Sequence, residues 1–121
     1  MNQRIFVVDD EADLRESICE ELRRNGYDCE AAADGRSALA AFHRKKPGLV
    51  LLDLLMPETD GWEVVAAVKD DPGLSKVPIV LMSAIPPKAT TLQAQGIAAT
   101  LPKPFTMPEL MFVVSRVLGT R

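Results

Sequence analysis

Short apolar runs recur along this chain, each followed by a stretch with helical spacing, and the alternation repeats five times. Residues 5–8, 49–52 and 77–82 are continuous runs of mostly Val, Ile, Leu and Met, the pattern of strands buried on both faces. Residues 27–31 and 97–101 supply two weaker strands. Between them, Leu14, Ile18 and Leu22 form one apolar stripe over 13–24, closed by Asn25-Gly26. Asp34 is placed to cap a helix that runs to about Lys45 and carries Ala38, Leu39, Ala41 and Phe42. Asp60 with Glu63, and Thr106 with Glu109, make capping patterns before two further helices, the first holding Trp62, Val65 and Val68, the second Leu110, Val113, Val114 and Val117. A weak helical stretch follows Pro86-Pro87 and closes at Gly96. Five such units predict an α/β fold, one parallel sheet covered by helices on both faces with right-handed crossovers. No linker or repeat interrupts them, so residues 1–121 are expected to form one domain.

In an open α/β sheet, ligands bind beyond the carboxyl ends of the strands. The first strand ends in Asp9-Asp10, with Glu11 next; the third ends in Asp53; Ser83 follows the fourth; Lys103 follows the fifth, between Pro102 and Pro104. Singly, each has a bland explanation. Acids start helices, an aspartate caps a turn, a serine satisfies backbone, and a lysine is solvated. Together, at the same end of successive strands, they make a reactive site. Carboxylates about 4 Å apart repel by roughly 1–4 kcal/mol per pair. A divalent cation relieves this, and a small set of hard oxygen ligands with room for water suits Mg²⁺. Asp53, the lone acid at the end of the central apolar strand, is the natural phosphoryl acceptor, with Lys103 and Ser83 placed to neutralise and hydrogen-bond phosphoryl oxygens.

The remaining composition narrows the field. A net charge of −3, with Arg44-Lys45-Lys46 as the longest basic run, argues against direct nucleic-acid binding. No apolar run is long enough to span a bilayer, no signal peptide opens the chain, and the expected compartment is the cytoplasm. Cys19 and Cys29 are too few for a disulfide scaffold or a zinc site and read as small core residues. His43 lacks ligand partners at metal spacing and reads as a surface residue.

Val7-Val8-Asp9-Asp10-Glu11, the segment Leu51-Leu52-Asp53-Leu54-Leu55-Met56-Pro57-Glu58-Thr59-Asp60-Gly61, Met82-Ser83-Ala84, and Leu101-Pro102-Lys103-Pro104-Phe105 carry a resemblance. Over essentially its whole length the chain resembles the response-regulator receiver domains of bacterial two-component systems, chemotaxis-regulator-like in form. The resemblance implies a flavodoxin-like sheet with strand order 2-1-3-4-5. It implies that Asp53 accepts a phosphoryl group from a histidine kinase or phosphotransfer protein and that a downstream protein target reads the result. It further implies Mg²⁺ held by Asp10, Asp53 and the Leu55 carbonyl, with Asp9 acting through water, and a cis peptide before Pro104. Ser83 would move towards the phosphoryl group and Lys103 would pair with it. Such a domain is not an enzyme in the ordinary sense, since it catalyses only its own phosphorylation and slow self-dephosphorylation.

Departures from the family pattern gather on its signalling face. Thr100 stands where the family carries an aromatic switch residue, three positions before the lysine. The stretch from Ser83 to Gly96 is short and holds Pro86-Pro87, which predicts a short or poorly ordered fourth helix. Ala98 and Ala99 replace acidic residues, so the charged dimer surface of the winged-helix subclass is unsupported. Two other functions compete. One is a phosphohydrolase working through an aspartyl phosphate, which needs a general acid where Leu55 stands. The other is a non-phosphorylated binding module on the same fold. The chain ends just past its last helical stretch, which fits both a stand-alone regulator and a receiver within a longer protein.

Overall fold

The computed structural model describes residues 3–57 and 59–119. Its main sheet contains β1 (Arg4–Val8), β2 (Asp28–Ala32), β3 (Leu49–Asp53), β6 (Ile79–Ser83) and β7 (Ala99–Pro102). Leu55–Met56 (β4) and Thr59–Asp60 (β5) form a separate two-residue antiparallel ladder. The helices are α1 (Ala12–Arg24), α2 (Gly35–Arg44), α3 (Gly61–Asp70), α4 (Ala89–Ala94) and α5 (Met107–Leu118). The main sheet is parallel throughout, in the order β2-β1-β3-β6-β7. Counting only its own strands, this is the expected 2-1-3-4-5.

Strand parity divides the core. Phe6, Val8, Val50, Leu52, Ile79 and Leu81 face α2 and α3, where Phe6 and Phe42 meet edge to face with ring centroids 5.0 Å apart. Ile5, Val7, Leu49, Leu51, Val80 and Met82 face α1 and α5, against Ile18, Leu22, Leu110 and Val114. The central strands β3 and β6 are buried along their whole length. Their carboxyl ends therefore carry Asp53 and Ser83 into a shielded environment.

The strand and helix ends refine the sequence reading. β2 and β7 each begin later than their alternation suggests, and β6 starts after Pro78, which has no N–H for a ladder. The Thr106–Glu109 capping box is complete. At α3 Asp60 is the cap, as expected, its side chain accepting from the Trp62 N–H, but the reciprocal bond from Glu63 is not formed. α4 is a single short helix with no buried residue, as Pro86-Pro87 led us to expect, and Gly96 ends it at φ +66°. His43 lies within the last turn of α2, exposed, with its ring 2.9 Å from Asp71. The cysteines require a correction. Both are buried as expected, but Cys19 of α1 and Cys29 of β2 are joined as a disulfide, their Cα atoms 5.3 Å apart. Composition could not show this, because α1 and β2 face each other only after the chain folds.

Gly61 opens α3 where the chain folds back on the end of β3. A Cβ there would lie 2.8 Å from the Leu54 Cα and 3.0 Å from the Asp53 carbonyl oxygen, both backbone atoms that cannot yield cheaply. Gly61→Ala is thus expected to destabilise the chain by about 1–3 kcal/mol in chemical unfolding, the usual scale of overpacking. An unchanged unfolding midpoint would show that this contact relaxes freely.

Candidate functional site

The carboxyl edge of the sheet brings together Asp9, Asp10, Asp53, Ser83 and Lys103. Asp9 follows the last residue of β1, and its backbone is gripped on both sides. Its N–H donates to the Ala32 carbonyl of β2 at 3.2 Å, and its carbonyl accepts from the Arg15 guanidinium of α1 at 2.8 Å. Its side chain is fully buried, with Oδ1 accepting from the Glu11 N–H at 2.9 Å. Asp53 ends β3 and is 4% exposed; its Oδ1 accepts from the Leu55 N–H at 3.2 Å. Asp10 stands beside them, exposed to solvent. One oxygen from each of the three carboxylates lies within 4.8 Å of the others.

Lys103 supplies the positive charge this cluster needs. It reaches in from the loop after β7, where its own N–H donates to the Ser83 carbonyl at 2.9 Å and a cis peptide joins it to Pro104. Its ammonium lies 2.8 Å from Asp9 Oδ2, 3.6 Å from Asp53 Oδ2 and 3.7 Å from Glu11 Oε1. Burial pulls the ammonium down, but the Asp9 hydrogen bond and the charges of Asp9, Asp53 and Glu11 outweigh it and hold the group above its ordinary value. Asp53 is pushed above the usual carboxylate range, chiefly by burial and then by the charge of Asp9. Lys103 and the Leu55 N–H oppose the shift without cancelling it, and Asp10 adds to it. One ammonium does not neutralise three acids. Hard carboxylate oxygens converging on one point, with an open side at Asp10, suit a small divalent cation.

Ser83 is at the site but turned away. Its hydroxyl donates to the Ile85 carbonyl at 2.9 Å and accepts from the Ile85 N–H at 3.2 Å, closing a local turn. Leu55 and Ile85, two residues past Asp53 and Ser83, are 71% and 77% exposed. Thr100 is half-buried in β7, across from Leu81 of β6. Of the motif around Asp53, Glu58 lies outside the described residues. Sequence reading missed Arg15. Its spacing marks only an ordinary charged residue of a helix, and its bond to a backbone carbonyl leaves no trace in the motif.

The raised position of Asp53 has a sign for stability. Over the pH range between the ordinary carboxyl value and its raised one, the folded chain keeps a proton that the unfolded chain releases. Stability therefore falls as pH rises through that range, and the whole penalty is present above it. Asp53→Asn removes the penalty. In metal-free buffer near neutral pH the variant should be more stable by about 1–4 kcal/mol, the scale of one like-charge contact. The gain should vanish at a pH below the ordinary carboxyl range. Chemical unfolding at both pH values measures this, and a variant no more stable at neutral pH would contradict it.

This geometry accords with comparisons to known proteins. Residues 5–115 match the family model of the response regulator receiver domain. The chain is 39% identical over 116 residues to the DNA-binding response regulator MtrA of Mycobacterium tuberculosis, covering 92% of this chain and 48% of that protein. It is 36% identical over 118 residues to the probable transcriptional regulator ycf27 of Porphyridium aerugineum, covering 96% of this chain and 48% of the relative. The chain thus spans about half the length of these relatives. Among solved structures, the Vibrio cholerae chemotaxis protein CheY4 superposes with a TM-score of 0.91 at 31% identity, covering 98% of this chain and 100% of that one. With the family model matched along most of its length and its strand-end acids and lysine in one cluster, the chain belongs to the response regulator receiver domain family.

Proposed function

We propose that residues 1–121 act as one receiver domain in a two-component phosphorelay, taking a phosphoryl group on Asp53 from a histidine kinase or phosphotransfer protein. The observation that carries this reading is the buried Asp53 set among two further aspartates and within 3.6 Å of Lys103. Asp10, Asp53 and the Leu55 carbonyl would hold Mg²⁺, with Asp9 acting through water. Once bound, the cation offsets the crowded carboxylate charge and that of the incoming phosphoryl oxygens. In the transfer, a carboxylate oxygen of Asp53 attacks phosphorus, the phosphorus–nitrogen bond of the donor histidine breaks, and the imidazole takes up a proton as it leaves. Lys103 holds its proton throughout and pairs with a phosphoryl oxygen. Ser83 donates to another once its hydroxyl leaves Ile85. A soluble cytoplasmic setting and an unidentified downstream protein target complete the reading. Among the described residues no helix is long and apolar enough to cross a membrane. The exposed Leu55 supplies no general acid, which favours a signalling domain over a phosphohydrolase.

Exposure to a small acyl phosphate with Mg²⁺ should add the mass of one phosphoryl group, and Asp53→Asn should abolish the gain. Equal uptake by both chains would overturn the assignment. The acyl phosphate should decay slowly, over minutes or longer, because Leu55 and Ile85, two residues past Asp53 and Ser83, carry apolar side chains that cannot orient water. Decay within seconds would contradict that. Freeing Ser83 from Ile85 opens the turn that leads into α4, and Thr100 offers no aromatic ring to move with it. We therefore expect phosphorylation, or a phosphoryl mimic, to raise amide protection across residues 84–101. Identical hydrogen exchange in both states would rule this out.

A further inference from the structure

The Cys19–Cys29 bond joins the two elements that grip Asp9. Cys19 lies one helical turn beyond Arg15, whose guanidinium holds the Asp9 carbonyl, and Cys29 lies three residues before Ala32, whose carbonyl accepts from the Asp9 N–H. Arg23 adds a third tie, donating from α1 to the Cys29 carbonyl at 2.8 Å. A bond between these cysteines therefore fixes α1 against β2 just where both position the most buried acid of the site. Their Cα separation of 5.3 Å falls inside the roughly 4.4–6.8 Å range that a disulfide spans. The two thiols can thus sit in the same places without large backbone movement. β2 is the edge strand of the sheet, with Asp28, Glu30 and Ala31 exposed, so local opening of that edge gives small thiols access to a pair that is otherwise 5% exposed at each residue.

We propose that Cys19 and Cys29 form a reversible oxidation site, and that the bonded form holds the acidic site in better register for a divalent cation than the dithiol form does. This rests on the reading of Asp9, Asp10 and Asp53 as a cation site. In a reducing compartment disulfides are rare, and those that form are usually transient and catalytic or redox-sensing. The oxidant is a small-molecule disulfide of the glutathione class. One cysteine gives its proton to solvent and attacks a sulfur of the oxidant, forming a mixed disulfide and expelling one thiolate. The second cysteine, likewise deprotonated, attacks the first cysteine's Sγ and expels the other thiolate. Both leaving thiolates take up protons, so two cysteine thiols and one small disulfide become one protein disulfide and two small thiols.

The test uses the whole chain equilibrated in graded mixtures of reduced and oxidised glutathione. Free thiols are then alkylated and counted by intact mass, and Mg²⁺ binding is titrated in the fully bonded and fully reduced states. The chain should pass between no alkylated cysteine and two, and the bonded state should bind Mg²⁺ about fivefold more tightly, the lower end of usual coupling between sites. A Cys19→Ala/Cys29→Ala variant should bind like the reduced chain whatever the glutathione ratio. A chain that stays in one thiol state across the whole range overturns the proposal, as does equal Mg²⁺ affinity in the two states. If neither state binds Mg²⁺, the cation-site reading itself fails and the proposal falls with it. Equal binding in both states overturns the proposal alone.

Discussion

The ion pair between Lys103 and Asp9 is the interaction on which the rest of the site depends. Three aspartates crowd one end of a parallel sheet, two of them buried, and a cluster of that kind is unfavourable without cations. Lys103 reaches it from the far side of the sheet, 94 residues along the chain from Asp9. The pair thus ties the first strand to the last loop. It also leaves negative charge unbalanced, which a small divalent cation would relieve.

The fold makes this possible by stacking strand ends. In a parallel sheet every strand finishes on the same edge, so four separate sequence positions converge without any one loop having to hold them all. The buried runs of β3 and β6 deliver Asp53 and Ser83, and Gly61 lets α3 close behind Asp53 where a side chain would collide with its backbone. Backbone hydrogen bonds do much of the positioning: Asp9 is held by Ala32 and Arg15, and Lys103 by Ser83. Stability is given up at the site, since Asp53 is buried as an acid in the field of another acid, and the two apolar layers on either side of the sheet offset that loss.

Much of this was legible in the sequence because periodicity and strand-end chemistry are local signals. The continuous apolar runs marked β1, β3 and β6, and the residues just after them were the acids and the hydroxyl that the structure brings together. The parts that escaped depend on contacts between distant segments. Arg15 binds a backbone carbonyl, which no residue pattern encodes. Cys19 and Cys29 become neighbours only when α1 packs on β2. Asp60 caps α3 without the reciprocal bond from Glu63, a competition between local hydrogen bonds that spacing does not decide. The short α4, by contrast, was readable from Pro86-Pro87 and Gly96, because proline and glycine act on the backbone directly.

In the proposed reaction, Ser83 would join the chemistry at Asp53 to the segment that leads into α4. Its hydroxyl is engaged with Ile85, so recruiting it to Asp53 would mean undoing that turn, and Thr100, across from Leu81, would offer no aromatic ring to follow it. The proposed function comes down to a covalent bond at one carboxylate. An aspartyl phosphate is reduced by borohydride to homoserine, so treating the chain with borohydride after exposure to an acyl phosphate and Mg²⁺, then sequencing its peptides by mass, locates the acceptor. Homoserine is expected at position 53. Homoserine at another acid, or at none, would contradict it.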